Sequence, residues 1–271
     1  MELFDTHCHI HESQVSVDDN DATRKLWAKL GNPSVDVLVA NARAQNVTHM
    51  MCVGCTLADS RRAIEVVAER ENMWASIGIH PHEAQAHLGQ VGALEQFAQL
   101  ATAKKVKAIG ECGLDYFYEH SPKEAQVKVL RFQLELAQKQ GLPLIFHVRD
   151  AFDDFWPIFD EYPGLTGVIH SFTATEKELA EVLKRGLYVG LNGIMTFTKS
   201  AAQLAAAKAV PLDKLVLETD APFLTPEPYR GTICEPKYVR VTAEFLAKLR
   251  SEPLATLADA TTHNAHVLFD L

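Results

Sequence analysis

With 271 residues, 47% of them hydrophobic and 23% charged, the chain has the balance of a globular protein with material for one large core. Its net charge of −9 at neutral pH excludes a protein that coats nucleic acid by general electrostatics; a phosphate-bearing ligand would need positive charge supplied locally, for instance by divalent ions. The five cysteines, at 8, 52, 55, 112 and 234, are scattered and odd in number, which reads as reduced thiols and not as a disulfide framework.

The first strand-like stretch, "LFDTHCHIHES", sets His7, His9 and His11 at alternate positions, so three imidazoles can share one face of an extended strand. Taken alone this is equally a strand edge with surface histidines. Residues 12–34 read as an irregular polar insertion after it. Helical and strand-like patterns then alternate, with helices over "VDVLVANARAQ", "LADSRRAIEVVAERE", "ALEQFAQLATAKK", "KEAQVKVLRFQLELAQKQG" and "ATEKELAEVLKRG". Gly141 and Gly186 close two of these as C-caps. The strands are expected at Leu3–Cys8, Val47–Gly54, Trp74–Ile79, Val106–Glu111, Pro143–His147, Gly167–His170, Leu187–Leu191 and Leu215–Thr219. They are short and continuously apolar, as parallel strands buried on both faces are. The pair Cys52 and Cys55 falls in "VTHMMCVGC" and reads as part of a buried strand, not as a redox or zinc motif.

Eight βα units in this length predict an α/β fold, a (β/α)₈ TIM barrel forming a single domain over 1–271. A doubly wound open sheet is the alternative, but no G-x-G-x-x-G or P-loop follows a strand. A Pro-rich loop, 221–236, follows the last strand. No apolar run reaches membrane-spanning length and the N-terminus lacks the features of a secretory signal, so a cytoplasmic location is expected.

In such a barrel the chemistry sits at the C-terminal ends of the strands. Those ends carry His7, His9, His80, Glu111, His147, His170 and Asp220, every one a metal-ligating residue type. A lone histidine there would be a packed core residue; a set at one rim is not explained that way. Four imidazoles and two carboxylates can hold two divalent ions with open positions for water and substrate. His7, His9 and Asp220 would form one site, His147 and His170 the other, and Glu111 would bridge, with a hydroxide shared by the ions as nucleophile. Asp220 can also act as general base. Arg149, two positions past His147, shares its face on an extended strand and can clamp a phosphate; an ion pair with a nearby Asp is the alternative.

The segments "LFDTHCH", "GIHPH", "AIGECGLD", "PLIFHVRDA", "IHSF" and "LETDAPFLTP", in this order and spread over nearly the whole chain, resemble the TatD family of metal-dependent hydrolases, in the amidohydrolase superfamily. The resemblance implies metal ligands at His7, His9, Glu111, His147, His170 and Asp220, with Glu111 and Asp220 catalytic. It also implies a deoxyribonuclease using two divalent ions (Mg²⁺, Mn²⁺ or Zn²⁺), often a 3′-to-5′ exonuclease on single-stranded DNA or 3′ ends. The residues alone stop at hydrolysis of a phosphate, ester or amide. His80 in the "GIHPH" loop would face the site and touch substrate, or else pack the loop. Asp115 would orient a histidine ligand. Tyr116, Phe117 and Tyr118 would stack a base, with packing under a loop expected for at least two of them. Cys234 stands where the family often has Asn; Glu235 would orient a rim residue, Arg230 or Lys237 would meet phosphate, or the loop is simply solvated. His11 is expected to have left the strand and to bind no metal. Rival readings are a metal-dependent esterase, such as a D-aminoacyl-tRNA deacylase, and a non-catalytic barrel scaffold. Oligomeric state stays open, a monomer included.

Overall fold

The computed structural model describes residues 1–16 and 21–271. Its strands are β1 (Leu3–Cys8), β2 (Val47–Val53), β3 (Met73–Ile77), β4 (Val106–Asp115), β5 (Leu144–Arg149), β6 (Gly167–Ile169), β7 (Tyr188–Leu191) and β8 (Leu215–Leu217). The helices are α1 (Ala22–Lys29), α2 (Val35–Arg43), α3 (Leu57–Val67), α4 (Ala84–Leu88), α5 (Ala93–Leu100) and α6 (Lys123–Gln140). They continue with α7 (Phe152–Asp160), α8 (Glu176–Lys184), α9 (Ala201–Ala209), α10 (Val239–Arg250) and α11 (Leu254–Phe269). The eight strands follow chain order, the order of a (β/α)₈ barrel.

The chain forms two compact units, Met1–Cys52 with Ser171–Val267 and Leu271, and Val53–His170 with Leu268–Asp270. In the first, β1 pairs parallel with β2, and β7 with β8. Every residue of β1 is buried, polar ones included, so Asp5, Thr6 and His7 must find partners inside the fold. Thr6 Oγ1 donates to Leu217 O at 3.0 Å, and Cys8 bridges in parallel to Ala221, so the first strand adjoins the segment leaving the last. In the second unit β3, β4, β5 and β6 pair in parallel sequence, and Phe146 packs its ring on Phe155 and Phe159. Gly141 takes the left-handed conformation (φ 68°) at the end of α6, and Gly186 (φ 71°) follows α8, as the sequence predicts for C-caps.

Two expectations change. The stretch 12–34 is not irregular throughout: it holds α1, capped by Asp21 accepting from Arg24 N at 3.1 Å, while residues 17–20 lie outside the described part. Trp27 of α1 is fully buried and its indole N–H donates to His9 O at 3.1 Å. Likewise β4 does not stop at Glu111 but runs to Asp115, because Gly113, Leu114 and Asp115 stay in register with His147, Val148 and Arg149 of β5. Gly113 is what permits this: its φ is +149°, and a Cβ there would lie 1.8 Å from His147 O.

Candidate metal centre

In the first unit the residues converge at the end of β1. His7 and His9 lie there with ring centroids 5.1 Å apart, and their Nε2 atoms stand 3.8 Å and 3.3 Å from Asp220 Oδ1. Both imidazoles are buried, while the Asp220 side chain keeps 18% exposure, enough to reach solvent. Asp220 is held in a left-handed backbone turn, φ 64°, an uncommon conformation for a residue with a side chain. Its N–H donates to His7 O at 2.8 Å, and His9 N donates to Ala221 O at 2.8 Å. The clamp under this turn is Asp5, which accepts from Thr219 N (2.8 Å), Thr219 Oγ1 (2.6 Å) and His7 N (3.3 Å). Burial pushes the Asp5 carboxyl well above its usual range, against the opposing pull of these hydrogen bonds. A second buried carboxylate, Glu218, accepts from Ser171 N at 2.6 Å and from Asn192 Nδ2 at 3.3 Å. Sequence reasoning assigned neither Asp5 nor Glu218; the signal was a charged residue inside an otherwise apolar strand run, which burial obliges to be paired.

In the second unit Glu111, 4% exposed, is the focus. Its Oε1 lies 2.8 Å from His147 Nδ1, 3.4 Å from His80 Nε2 and 3.8 Å from His170 Nε2. One ligand atom each of His80, Glu111 and His147 fall within 4.8 Å of one another. The other nitrogen of His147 faces Asp115 Oδ2 at 2.9 Å, and the same oxygen is 2.9 Å from His82 Nε2. Asp115 Oδ1 accepts the backbone N–H groups of Phe117 and Tyr118. Burial opposes charge on Asp115, but the hydrogen bonds from His147, His82 and Tyr118 outweigh it and hold its carboxyl well below the usual range. A carboxylate on Nε2 leaves Nδ1 of His147, which faces Glu111, as the donor toward an ion. His80 is different: its Nδ1 accepts from His82 N at 3.2 Å, so the neutral ring carries its proton on Nε2, toward Glu111. Burial pushes its pKa down to about 4, against the attraction of Glu111. In that tautomer Nε2 carries the proton and offers no lone pair to an ion. The imidazole and carboxylate donors of each unit suit a divalent transition metal or a Mg²⁺-like ion.

The remaining sequence candidates separate. His11 is buried in the single 3₁₀ turn Ile10–Glu12, off the strand. Cys55 Sγ contacts Glu111 Oε2 at 3.7 Å, whereas Cys52 is buried in register with Cys8. The expectation that at least two of the three aromatics pack under a loop is reversed: Phe117 and Tyr118 are 55% and 50% exposed, because Asp115 pins their backbone and turns both rings outward. Arg149 lies over these rings, its guanidinium carbon 4.1 Å from the Phe117 centroid and 4.7 Å from that of Tyr118, and it makes no ion pair among the described residues. In the loop after β8, Cys234 is buried. Glu235 accepts from Asn41 Nδ2 at 2.9 Å and pairs with Lys237, so it holds the loop to α2; Arg230 lies over Phe197 and donates to Thr225 O.

A family model described as TatD related DNase matches residues 4–270. The chain is 35% identical over 269 residues to the "uncharacterized metal-dependent hydrolase YabD" of Bacillus subtilis, covering 98% of both chains. It is 35% identical over 243 residues to the "3′-5′ ssDNA/RNA exonuclease TatD" of Cronobacter sakazakii, covering 86% of this chain and 91% of that one. The structure of the TatD homologue YJJV from Escherichia coli K12 superposes with a TM-score of 0.85 at 25% identity, over 99% of this chain and 98% of that one. A TatD family hydrolase from Entamoeba histolytica, at 24% identity and TM-score 0.86 over 99% and 98% of the two chains, repeats the fold. No helix among the described residues is long and apolar enough to cross a membrane. The pairing of imidazoles with carboxylates at the strand ends is thus set in a barrel shared with these proteins, and the chain belongs to the TatD related DNase family of metal-dependent hydrolases.

Proposed function

We propose that this chain is a divalent-metal-dependent deoxyribonuclease that removes nucleotides from the 3′ ends of single-stranded DNA. The observation that carries the reading is the presence, in each unit, of imidazoles set within 4 Å of a carboxylate: His7 and His9 on Asp220, His147 and His170 on Glu111. We assign one ion to His7, His9 and Asp220 and a second to Glu111, His147 and His170. Bound divalent ions supply activation of water and neutralisation of phosphoryl charge. Asp220, the more exposed of the two carboxylates, accepts the proton of the attacking water at an Oδ. His80 presents its Nε2–H to the substrate, and Arg149 clamps a phosphate oxygen through paired N–H groups. The relative of Cronobacter sakazakii named as an ssDNA/RNA exonuclease supports this substrate class.

A positively charged clamp favours a phosphodiester over a small neutral ester or amide, and substrate assays separate the nuclease from the esterase. The test is metal analysis of the purified protein together with digestion of 5′-labelled single strands over a series of Mg²⁺, Mn²⁺, Zn²⁺ and chelator. A ladder of products shortened from the 3′ end, abolished by chelator, is expected. His9→Ala lowers the metal content while His11→Ala leaves it intact. Metal-loaded protein that releases no nucleotide but deacylates an aminoacyl ester would transfer the site to the esterase.

A further inference from the structure

We propose that Phe117, Tyr118 and Arg149 form a platform that takes one unpaired nucleobase together with its phosphate, and so select single-stranded or frayed ends; this rests on the nuclease reading above. Phe117 and Tyr118 are adjacent aromatic rings, each about half exposed. Their rings meet edge to face, with centroids 4.8 Å apart and planes at 88°, so they form a corner and not a flat patch. Arg149 occupies this corner as a cation over both rings. A guanidinium held by rings and not by a carboxylate has its N–H groups available for phosphate.

The second part of the argument is how the corner is fixed. Asp115 accepts the N–H groups of Phe117 and Tyr118 through one oxygen and faces His147 and His82 with the other. One buried carboxylate therefore sets the rings and the proposed metal ligand in a common frame. Tyr118 also stacks on His120, with centroids 5.7 Å apart and planes 8° from parallel, and His82 stands edge-on to both. A base can stack on the ring surface that these contacts leave exposed only after it has left its partner strand, which is what makes the corner a selector. An apolar patch for protein docking would not need an arginine held between its rings.

The experiment uses the metal-loaded protein and two 5′-labelled single strands, identical except that one carries abasic residues at its 3′ terminus. Phe117→Ala/Tyr118→Ala is expected to raise KM on the base-bearing strand about tenfold or more with little change in kcat. On the abasic strand the shift shrinks to under about twofold, since no base remains to stack. Arg149→Gln is expected to raise KM on both strands, because the phosphate survives loss of the base. An equal KM shift of the double variant on both strands, or none on either, overturns the platform. If the wild type cleaves neither strand, the nuclease reading fails, and the platform is then judged by titrating a phosphorothioate strand with 3′-terminal 2-aminopurine. Quenching that disappears in the double variant upholds it; quenching unchanged by the substitutions, or absent in the wild type, overturns it. Metal content and melting temperature of each variant establish that the fold is intact.

Discussion

At the scale of single residues the proposed site depends on carboxylates that touch no substrate. Asp115 shows why charge and not shape is needed: its Oδ2 receives two imidazole N–H groups while its Oδ1 receives two backbone N–H groups. Asparagine fits the same space, but its amide nitrogen can only donate, so one pair of donors would face another donor. Orienting partners of metal-bound histidines typically contribute 10–100-fold to metal affinity. Asp115→Asn is therefore expected to weaken ion binding by roughly that factor, measured by calorimetric titration of the metal-stripped protein. An unchanged dissociation constant would show that the contact to His147 is only a packing feature.

At the scale of elements, the strands that carry the candidate ligands were legible because their apolar runs end near residues of metal-ligating type. The bounds Leu3–Cys8 of β1 agree to the residue, and Arg149 closes β5 two places past His147. What could not be read was whatever depends on a tertiary contact. In "CGLD" the glycine looks like the end of a strand, whereas it lets β4 run against the backbone of β5. In "DATRKLWAKL" too few apolar residues recur at helical spacing to reveal α1, and an isolated helix of this length is marginal in water. Its one buried residue is Trp27, which also holds the carbonyl of His9. Trp27→Ala is therefore expected to cost about 3–5 kcal/mol, the range for a fully buried large aromatic. Urea unfolding would give the loss, and a parallel metal titration should show weaker binding at the His7, His9 and Asp220 set. A loss under about 1 kcal/mol would mean that α1 collapses onto the strand without its tryptophan.

At the scale of the whole molecule, the sign of the charge separates two ways of holding a nucleic acid. A protein that grips many phosphates with lysine and arginine releases many counterions, and its affinity for a single strand falls with salt with a log–log slope of about −0.7 per phosphate neutralised. A chain of net charge −9 cannot do this over a long track. On the proposed reading it concentrates attraction at a few points, Arg149 and bound ions, and obtains the rest from stacking on Phe117 and Tyr118, which salt hardly affects. With about two phosphates engaged, raising potassium chloride fourfold at fixed divalent metal should weaken binding of a short single strand only about sevenfold, against a few hundredfold for six. Fluorescence anisotropy of a labelled phosphorothioate strand measures the slope directly. A steep slope would place the attraction on a basic track that the charge balance of this chain argues against, whereas a shallow slope that flattens further in Arg149→Gln would assign the arginine its single phosphate.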